Sequence, residues 1–326
     1  MTTRYDALGT RPYTRGLHEV GDGTYAWLQP DGGWGWSNAG LVADGEETLL
    51  VDTLYDVPLT AAMLDAMRGA VPAASRIGTL VNTHSNGDHC NGNELVGDAE
   101  IVASAASAEG MAEESPEMMA RLLENAEALG ETGAFFQRCF GAFDFAGVTK
   151  TLPTRTFSGQ LDVTVGDTTV ELVEVGPAHT AGDVLVHVPS RGTVFTGDIL
   201  FIEGHPIVWV GPISNWLAAC DLMESWGVET VVPGHGPVTD LEGVRAVRDY
   251  LEWITEEARR RHDDGMDAFA AARDISEKEL GRSRFSSWGD AERVVINVDT
   301  VYRELSGSSE ATPTAELFAR MAQLSR

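Results

Sequence analysis

Metal-ligating side chains concentrate in one short loop of the sequence. His84, Asp88 and His89 fall within six residues, in a segment whose glycines and asparagines are typical of a loop. Imidazole and carboxylate groups are the ligands expected for zinc and other borderline divalent ions. A lone histidine is usually an ordinary hydrogen-bonded residue, but three such ligands in one loop are not explained in that way. The loop therefore predicts a metal site.

Three further candidate ligands follow predicted strands later in the chain. His179 stands between two strands, Asp198 ends another strand, and His235 lies between two glycines after a third. Glycine beside a ligand lets the backbone turn sharply and approach an ion closely. Residues just beyond strand ends collect at one edge of a sheet, where sites are built. We therefore expect these residues to join the loop in one site.

The elements that must position these residues form two strand-rich halves. The strands are predicted from apolar and alternating runs at 24–29, 40–42, 47–52, 77–82 and 100–103, and at 161–165, 169–175, 184–188, 193–196 and 230–232. Helices are predicted over 58–68, in an insertion over about 104–156, and from 241 onward. Two strand sets with helices on either side predict an α/β (α+β) fold, a four-layer αββα sandwich. The predicted organisation is a catalytic domain over 1–240, which contains the insertion, and a helical extension over 241–326 that packs on it.

The composition excludes several classes of function. The 326 residues include 23 Lys and Arg against 50 Asp and Glu, a formal charge of −27. Such an acidic surface repels phosphate backbones, so nucleic acid is not expected as a partner. No apolar run reaches about 18 residues, which predicts no membrane span. Three scattered cysteines and the lack of an apolar leader predict a cytoplasmic protein. The expected partner is a small-molecule substrate.

The ordered ligands resemble those of the metallo-β-lactamase-fold hydrolase superfamily, in its glyoxalase II and lactonase-like branch, over about residues 25–237. The loop pattern of that family, His-x-His-x-Asp-His, reads His84-Ser85-Asn86-Gly87-Asp88-His89 in this chain. The resemblance implies two adjacent metal positions. The first would use His84, Asn86, His179 and Asp198; the second would use Asp88, His89 and His235, and share Asp198. The resemblance also implies that Asp52 supports the loop without binding metal.

One departure from the family pattern is Asn86, which stands where a histidine is usual. An amide oxygen is a weaker zinc ligand than imidazole. We therefore expect Zn²⁺ to bind tightly at the second position and more weakly at the first, with Fe or Mn as other candidate metals. Three roles for Asn86 stay open: it ligates the metal, it turns away to the backbone, or a water replaces it.

A divalent metal can activate water at neutral pH, and the sequence has no Ser-His-Asp set on a nucleophile elbow. These features predict a metal-dependent hydrolase of an ester, thioester, lactone or amide-like bond. Asp88 is a candidate to hold or relay the proton of the water, and His205, which follows Asp198 closely, is a candidate to orient substrate or donate a proton. The alternative is a mononuclear non-haem iron dioxygenase of the persulfide dioxygenase type, because two histidines and one carboxylate suit Fe(II). A metal-binding protein without catalysis is the third class.

Aromatic residues near these loops are candidates to bind substrate. Trp34 and Trp36 lie in an early glycine-rich loop, and Trp209 follows the strand-end aspartate. Phe136 and Phe140 belong to a phenylalanine cluster in the insertion, which we expect to form a lid or wall over the site. A large exposed apolar patch is uncommon in soluble monomers, so these rings cover the site or pair in a homodimer. Together the aromatic residues predict a small, partly apolar substrate.

Overall fold

The structure, a computed structural model, describes residues 4–308 and 310–325. Its strands are β1 Gly16–Gly21, β2 Thr24–Leu28, β3 Ala39–Asp44, β4 Glu47–Val51, β5 Thr79–Val81, β6 Glu100–Ser104, β7 Arg155–Phe157, β8 Gln160–Val165, β9 Thr168–Glu174, β10 Val184–Val188, β11 Thr193–Phe195 and β12 Thr230–Val232. Its α-helices are α1 Val57–Ala70, α2 Gly87–Cys90, α3 Ala105–Glu113, α4 Pro116–Glu124, α5 Gly130–Phe140, α6 Ile213–Trp226, α7 Leu241–Asp263, α8 Ala268–Lys278, α9 Val294–Ser306 and α10 Thr314–Leu324. None of these helices in the described ranges is long and apolar enough to cross a membrane.

Two sheets contain all of these strands. The first has seven strands in the order β1-β2-β3-β4-β5-β6-β7, antiparallel as far as β4 and parallel from β4 onward. The second has five strands in the order β12-β11-β10-β9-β8, antiparallel except for the β11–β12 pair. The sequence patterns did not predict β1 and β7. Both are edge strands with few fully buried side chains, so neither carries a clear apolar alternation.

Three hydrophobic clusters show how the layers stack. Along β4, Leu49 and Val51 point between the two sheets, whereas Leu50 points to the outer face, as the two-residue period of a strand requires. On that outer face, α1 buries Met63, Leu64 and Met67. The outer face of the second sheet is covered by α6 to α10. The predicted four-layer αββα sandwich is therefore confirmed.

The insertion and the C-terminal helices share one core. Phe135, Phe136 and Phe140 of α5 pack against Phe318 of α10. The same cluster continues through α7, α8 and α9 to the second sheet. The C-terminal segment is thus part of the main core, and its division from the catalytic domain at residue 240 stays a prediction.

Candidate metal centre

Strand direction brings the candidate ligands to one edge of the molecule. In the second sheet β9, β11 and β12 run in the same direction, because β10 is antiparallel to both of its neighbours. His179, Asp198 and His235 follow the ends of these three strands. In the first sheet, β5 leads into the loop of His84 and the short helix α2, which carries Asp88 and His89.

Two groups of three ligands form, and each group has its ligand atoms within 4.8 Å of one another. The first group is His84, His179 and Asp198, and the second is Asp88, His89 and His235. Asp198 connects them, since its Oδ2 lies 3.3 Å from His179 Nε2 and its Oδ1 lies 3.1 Å from His89 Nε2. The arrangement corresponds to the two adjacent positions that the sequence predicts, with one carboxylate between them.

Each of the four histidines is held through its outer ring nitrogen. The Nδ1 atoms contact, in chain order, Thr83 Oγ1 at 3.0 Å, Asp52 Oδ2 at 2.9 Å, the carbonyl oxygen of Ile207 at 2.6 Å and that of Gly32 at 3.1 Å. When Nδ1 donates to such an oxygen, the Nε2 lone pair is left free for a metal. The four rings therefore present Nε2 toward the shared carboxylate.

Asp52 organises the loop without joining either ligand group. Its Oδ1 accepts from the backbone N–H of Thr83 at 2.7 Å, and its Oδ2 accepts from Thr83 Oγ1 at 2.7 Å and faces His89 Nδ1. Asp52 has a φ of 63°, in the left-handed region that non-glycine residues rarely adopt. Strain of this kind persists where surrounding contacts fix the residue, as these hydrogen bonds do.

The side chains fit a bound metal. His84 Nε2 is buried without a hydrogen-bond partner in the described part of the chain, and His89 Nε2 and Asp198 Oδ1 are buried and lie 3.1 Å apart without hydrogen-bond geometry. Buried polar atoms are almost always satisfied, and a metal ion would satisfy all three. Nitrogen and carboxylate oxygen donors in this number are those of divalent transition metals, zinc among them.

The charges of the centre are balanced by protons that a cation would displace. Burial raises the pKa of Asp198, but the surrounding imidazoles, His235 first, hold that pKa well below its usual value. Burial lowers the pKa of His235, but the charges of Asp198 and Asp88 outweigh it and raise that pKa to about 9. Burial, followed by the charge of His89, keeps the pKa of His84 well below its usual value.

Asn86 lies against the first ligand group. Its Oδ1 is 2.7 Å from His179 Nε2, and its side chain also hydrogen-bonds the Glu114 carboxyl. The amide therefore faces the centre and does not turn to the backbone. Whether its oxygen ligates a metal stays a prediction.

A cavity of about 1130 Å³ opens over the centre. Asn86, Asp88, His179, Asp198 and His235 lie on its floor. Its walls are mainly apolar and come from the insertion, from α9 and α10, and from separate loops; they include Met118, Met119, Leu122, Phe136, Phe140, Ile296, Leu317, Phe318, Trp34, Trp209 and Tyr55. Four of the five aromatic residues predicted to bind substrate thus line this cavity.

Trp36 is the exception. Its ring packs on Phe143 with centroids 4.8 Å apart, and the Arg15 guanidinium lies over it at 5.0 Å. It borders a separate depression of about 300 Å³ and is not among the described residues that line the large cavity. Trp34 borders both spaces, whereas Trp36 borders only the small depression, so the substrate contact of Trp36 stays a prediction without support from the lining of the large cavity.

His205 is also placed away from the cavity, so its surroundings do not support the catalytic role, which stays a prediction. Its side chain is 1% exposed and packs against Tyr250 and Trp288, with ring centroids 5.1 and 5.9 Å away. Burial, with a smaller effect from the Arg293 charge, lowers its pKa to about 3. Its imidazole is therefore neutral at neutral pH and buried in the core.

The sequence patterns did not identify several residues that line the cavity, among them Tyr55, Glu114, Arg293 and Phe318. Tyr55 follows β4 by four residues, so its place after a strand end was an available signal. Phe318 gave no such signal, because it reaches the cavity only through packing of the C-terminal helices.

Comparison with known proteins agrees with this geometry. Residues 32–235 match the metallo-beta-lactamase superfamily. The match spans more than half of the chain, and the chain therefore belongs to that superfamily as a metal-dependent hydrolase. The resemblance carried by the ligand motif is confirmed, whereas the particular branch stays a prediction.

Individual relatives are distant. The acyl-coenzyme A thioesterase MBLAC2 of Homo sapiens is 26% identical over 231 residues, which are 66% of this chain and 79% of that protein. The stereoselective inverting sec-alkylsulfatase Pisa1 from Pseudomonas sp. shares the fold with a TM-score of 0.65 at 18% identity, over 92% of this chain and 52% of its own. A metallo-beta-lactamase from Pontibacter korlensis has a TM-score of 0.55 at 19% identity, over 72% of this chain and 98% of its own. The chain spans about half the length of the sulfatase.

Proposed function

We propose that this hydrolase cleaves an ester or thioester bond of a small substrate with an apolar body, and that its metal is zinc. The observation that carries the proposal is the pair of ligand groups that share Asp198 on the floor of a mainly apolar cavity. The thioesterase named among the relatives supports the bond type. Lactones and amide-like bonds belong to the same reaction class and are further substrates to test.

The ligand groups would hold the metal, with Asn86 beside the first. When bound, such a metal lowers the pKa of water to near 7 and polarises the scissile group. Asp88 would hold the attacking water by accepting its hydrogen bond. Although burial raises the pKa of Asp88, the charges of His89 and His235 outweigh it and keep that pKa below its usual value, so the carboxylate is ionised at neutral pH.

The cavity walls support the predicted lid. Phe136 and Phe140 place the insertion against Trp34 and Phe318, so apolar surface from distant parts of the chain faces the same space. Apolar pockets with a few polar groups at one end bind ligands by burying their apolar body and fixing the polar group. The phenylalanine cluster is already covered within one chain, so its burial does not need the predicted homodimer.

An oxygenase is the second candidate, since His84, His179 and Asp198 alone form a set of two histidines and one carboxylate. The complete second group favours hydrolysis, because a mononuclear oxygenase has no use for it.

The deciding experiment combines metal analysis with activity assays. Purified protein would be analysed for Zn, Fe and Mn, then assayed with p-nitrophenyl esters, acyl thioesters, a lactone and an alkyl sulfate, and for oxygen consumption with glutathione persulfide. We expect ester or thioester hydrolysis that a chelator abolishes and zinc restores. Oxygen consumption that requires iron, without hydrolysis, would establish the second candidate instead. Cleavage of the sulfate alone would contradict the proposed bond type.

A further inference from the structure

Tyr55 occupies a position between the metal-binding loop and the cavity. It lines the cavity and is 8% exposed. Its ring packs among three phenylalanines of the insertion, with centroids 6.0, 4.8 and 4.8 Å away, which are Phe140, Phe143 and Phe145. These three ring contacts would serve the fold equally well with a phenylalanine at this position, so the hydroxyl needs a separate explanation.

Two glycines make room for this ring. A Cβ on Gly35 would lie 2.5 Å from Tyr55 Cδ1, and a Cβ on Gly87 would lie 3.0 Å from Tyr55 Cε2. Gly87 stands between Asn86 and Asp88, so the aromatic ring contacts the backbone of the metal-binding loop directly. Gly35 and Gly87 thus lie beside opposite edges of the ring, which restricts the direction of its hydroxyl.

The hydroxyl of Tyr55 has no hydrogen-bond partner among the described residues, and it is not one of the polar atoms sealed from solvent. Tyr250, the other tyrosine buried to this degree among the described residues, has a partner for its hydroxyl, which accepts from Asn297 at 2.9 Å. Because Tyr55 lines the cavity and its hydroxyl is not committed to another side chain, the hydroxyl is available to a substrate bound there.

Electrostatics keep the phenol proton in place. Burial first, and then the charges of Asp88 and Glu114, hold the pKa of Tyr55 well above its usual value. Even an unperturbed tyrosine, with a pKa of about 10, is protonated at neutral pH. The hydroxyl is thus a hydrogen-bond donor and not a base.

We propose that the Tyr55 hydroxyl is a further catalytic residue, which donates a hydrogen bond to the substrate oxygen that gains negative charge when water attacks. The inference rests on the proposed hydrolysis at the metal centre. Fixed donors aimed at such an oxygen stabilise the transition state without reorganising. No proton is transferred, so the phenol is unchanged at the end of the reaction.

The test compares Tyr55→Phe with the unmodified protein and with Tyr250→Phe as the matched control. Removing one oxyanion donor typically lowers kcat by about 10²- to 10³-fold. We expect a loss of that order for p-nitrophenyl ester hydrolysis by Tyr55→Phe, with KM little changed, metal content unchanged, and Tm equal or higher. Tyr250→Phe should lower Tm, because it removes a satisfied hydrogen bond, and should leave kcat unchanged.

A binding measurement separates this proposal from the proposed function. Phenylphosphonate, a tetrahedral anion, would be titrated calorimetrically into the zinc-loaded forms of both proteins. We expect Tyr55→Phe to bind it at least about ten-fold more weakly, the change expected for one lost hydrogen bond to a charged group. If Tyr55→Phe keeps the kcat and the phosphonate affinity of the parent, the role of Tyr55 is overturned while hydrolysis by the parent stands. Absence of hydrolysis by the parent itself would overturn the proposed function instead.

Discussion

The floor and the walls of the cavity are built in different ways. On the floor, strand ends supply ligands that are buried and individually held by hydrogen bonds, as His89 is by Asp52. The walls come from helices whose apolar residues are partly exposed, and Met118 of α4 is 53% exposed. The contrast teaches that the ligands are held one by one through hydrogen bonds, whereas the surface that would meet the body of the substrate is held by apolar packing and is exposed in part. Substitutions on the floor should therefore act on metal and kcat, and substitutions on the walls on KM.

The largest effect is expected from Asp198→Asn, which removes the charge that both ligand groups share. The bound metal should be lost on dialysis, and hydrolysis should fall by about 10³-fold or more, since a metal contributes several kcal/mol to such a reaction. Elemental analysis and initial rates measure this. The control is Glu257→Gln, which breaks a buried ion pair with Arg261 outside the cavity and should lower Tm while leaving the metal content intact. Full metal content in Asp198→Asn would show that the floor is not organised around this carboxylate.

Asp52→Asn tests whether hydrogen bonds from Asp52 to Thr83 and His89 strengthen metal binding. Because Asp52 holds both Thr83 and His89, metal affinity should fall by about 10- to 100-fold, the usual effect of losing such a supporting carboxylate. Competition with a chromophoric chelator measures the affinity. Asp56→Asn is the matched control, since Asp56 caps α1 by accepting from the N–H of Leu59 and should leave the metal affinity unchanged. Equal affinities in all three proteins would contradict the supporting role.

Metal binding at the second position should depend on pH. Without metal the pKa of His235 is about 9 and that of His89 is well above its usual value, so both carry protons at pH 7 that the metal must displace. Affinity should therefore rise by about ten-fold per pH unit for each proton displaced, and the part due to His235 should level off above pH 9. His84, with its lowered pKa, has no proton to release, so the first position should respond less. Chelator competition between pH 6 and pH 9.5 decides this, and a flat profile at the tighter position would refute it.

Asn86→His compares the two positions directly. The unmodified protein should hold nearer one tight equivalent of zinc than two, because an amide oxygen is the weaker ligand. The imidazole should raise occupancy of the first position toward a second tight equivalent, as measured by calorimetry. Two equally tight metals in the unmodified protein would instead mean that Asn86 ligates or that three ligands are sufficient.

The smallest effect is expected from a substitution on the wall of the cavity. Met118→Ser removes an exposed apolar side chain that lines the cavity, so KM for an octanoyl ester should rise about five-fold, since burying part of an apolar side chain contributes about 1 kcal/mol. The KM for the acetyl ester should not change. Met266→Ser is the control, because Met266 is 37% exposed and lies outside the described lining of the cavity. Equal changes in KM for both esters would mean that Met118 does not contact the longer acyl chain.

Most of the floor was predictable from the sequence. Ligand types at the ends of successive strands identified His84, His179, Asp198 and His235, because a strand end places its next residue at a known edge of a sheet. His205 shows where this reasoning fails. It too follows a strand-end ligand, yet the chain turns inward after Asp198 and buries the ring against Tyr250. Nearness in sequence to a ligand does not decide which way a side chain points.

The sequence by itself determined the αββα layers and the two ligand groups, since both depend on local periodicity and on residues adjacent to strands. Only the tertiary structure decided what faces the metal centre. Phe318 contacts Phe140 across 178 positions of chain, and Tyr55 enters the cavity because two glycines in separate segments of the chain leave space for its ring. Such contacts depend on how helices and loops pack, and no short-range pattern encodes packing between segments so far apart. The chemistry of the floor is local in origin, whereas the shape of the walls is a property of the whole fold.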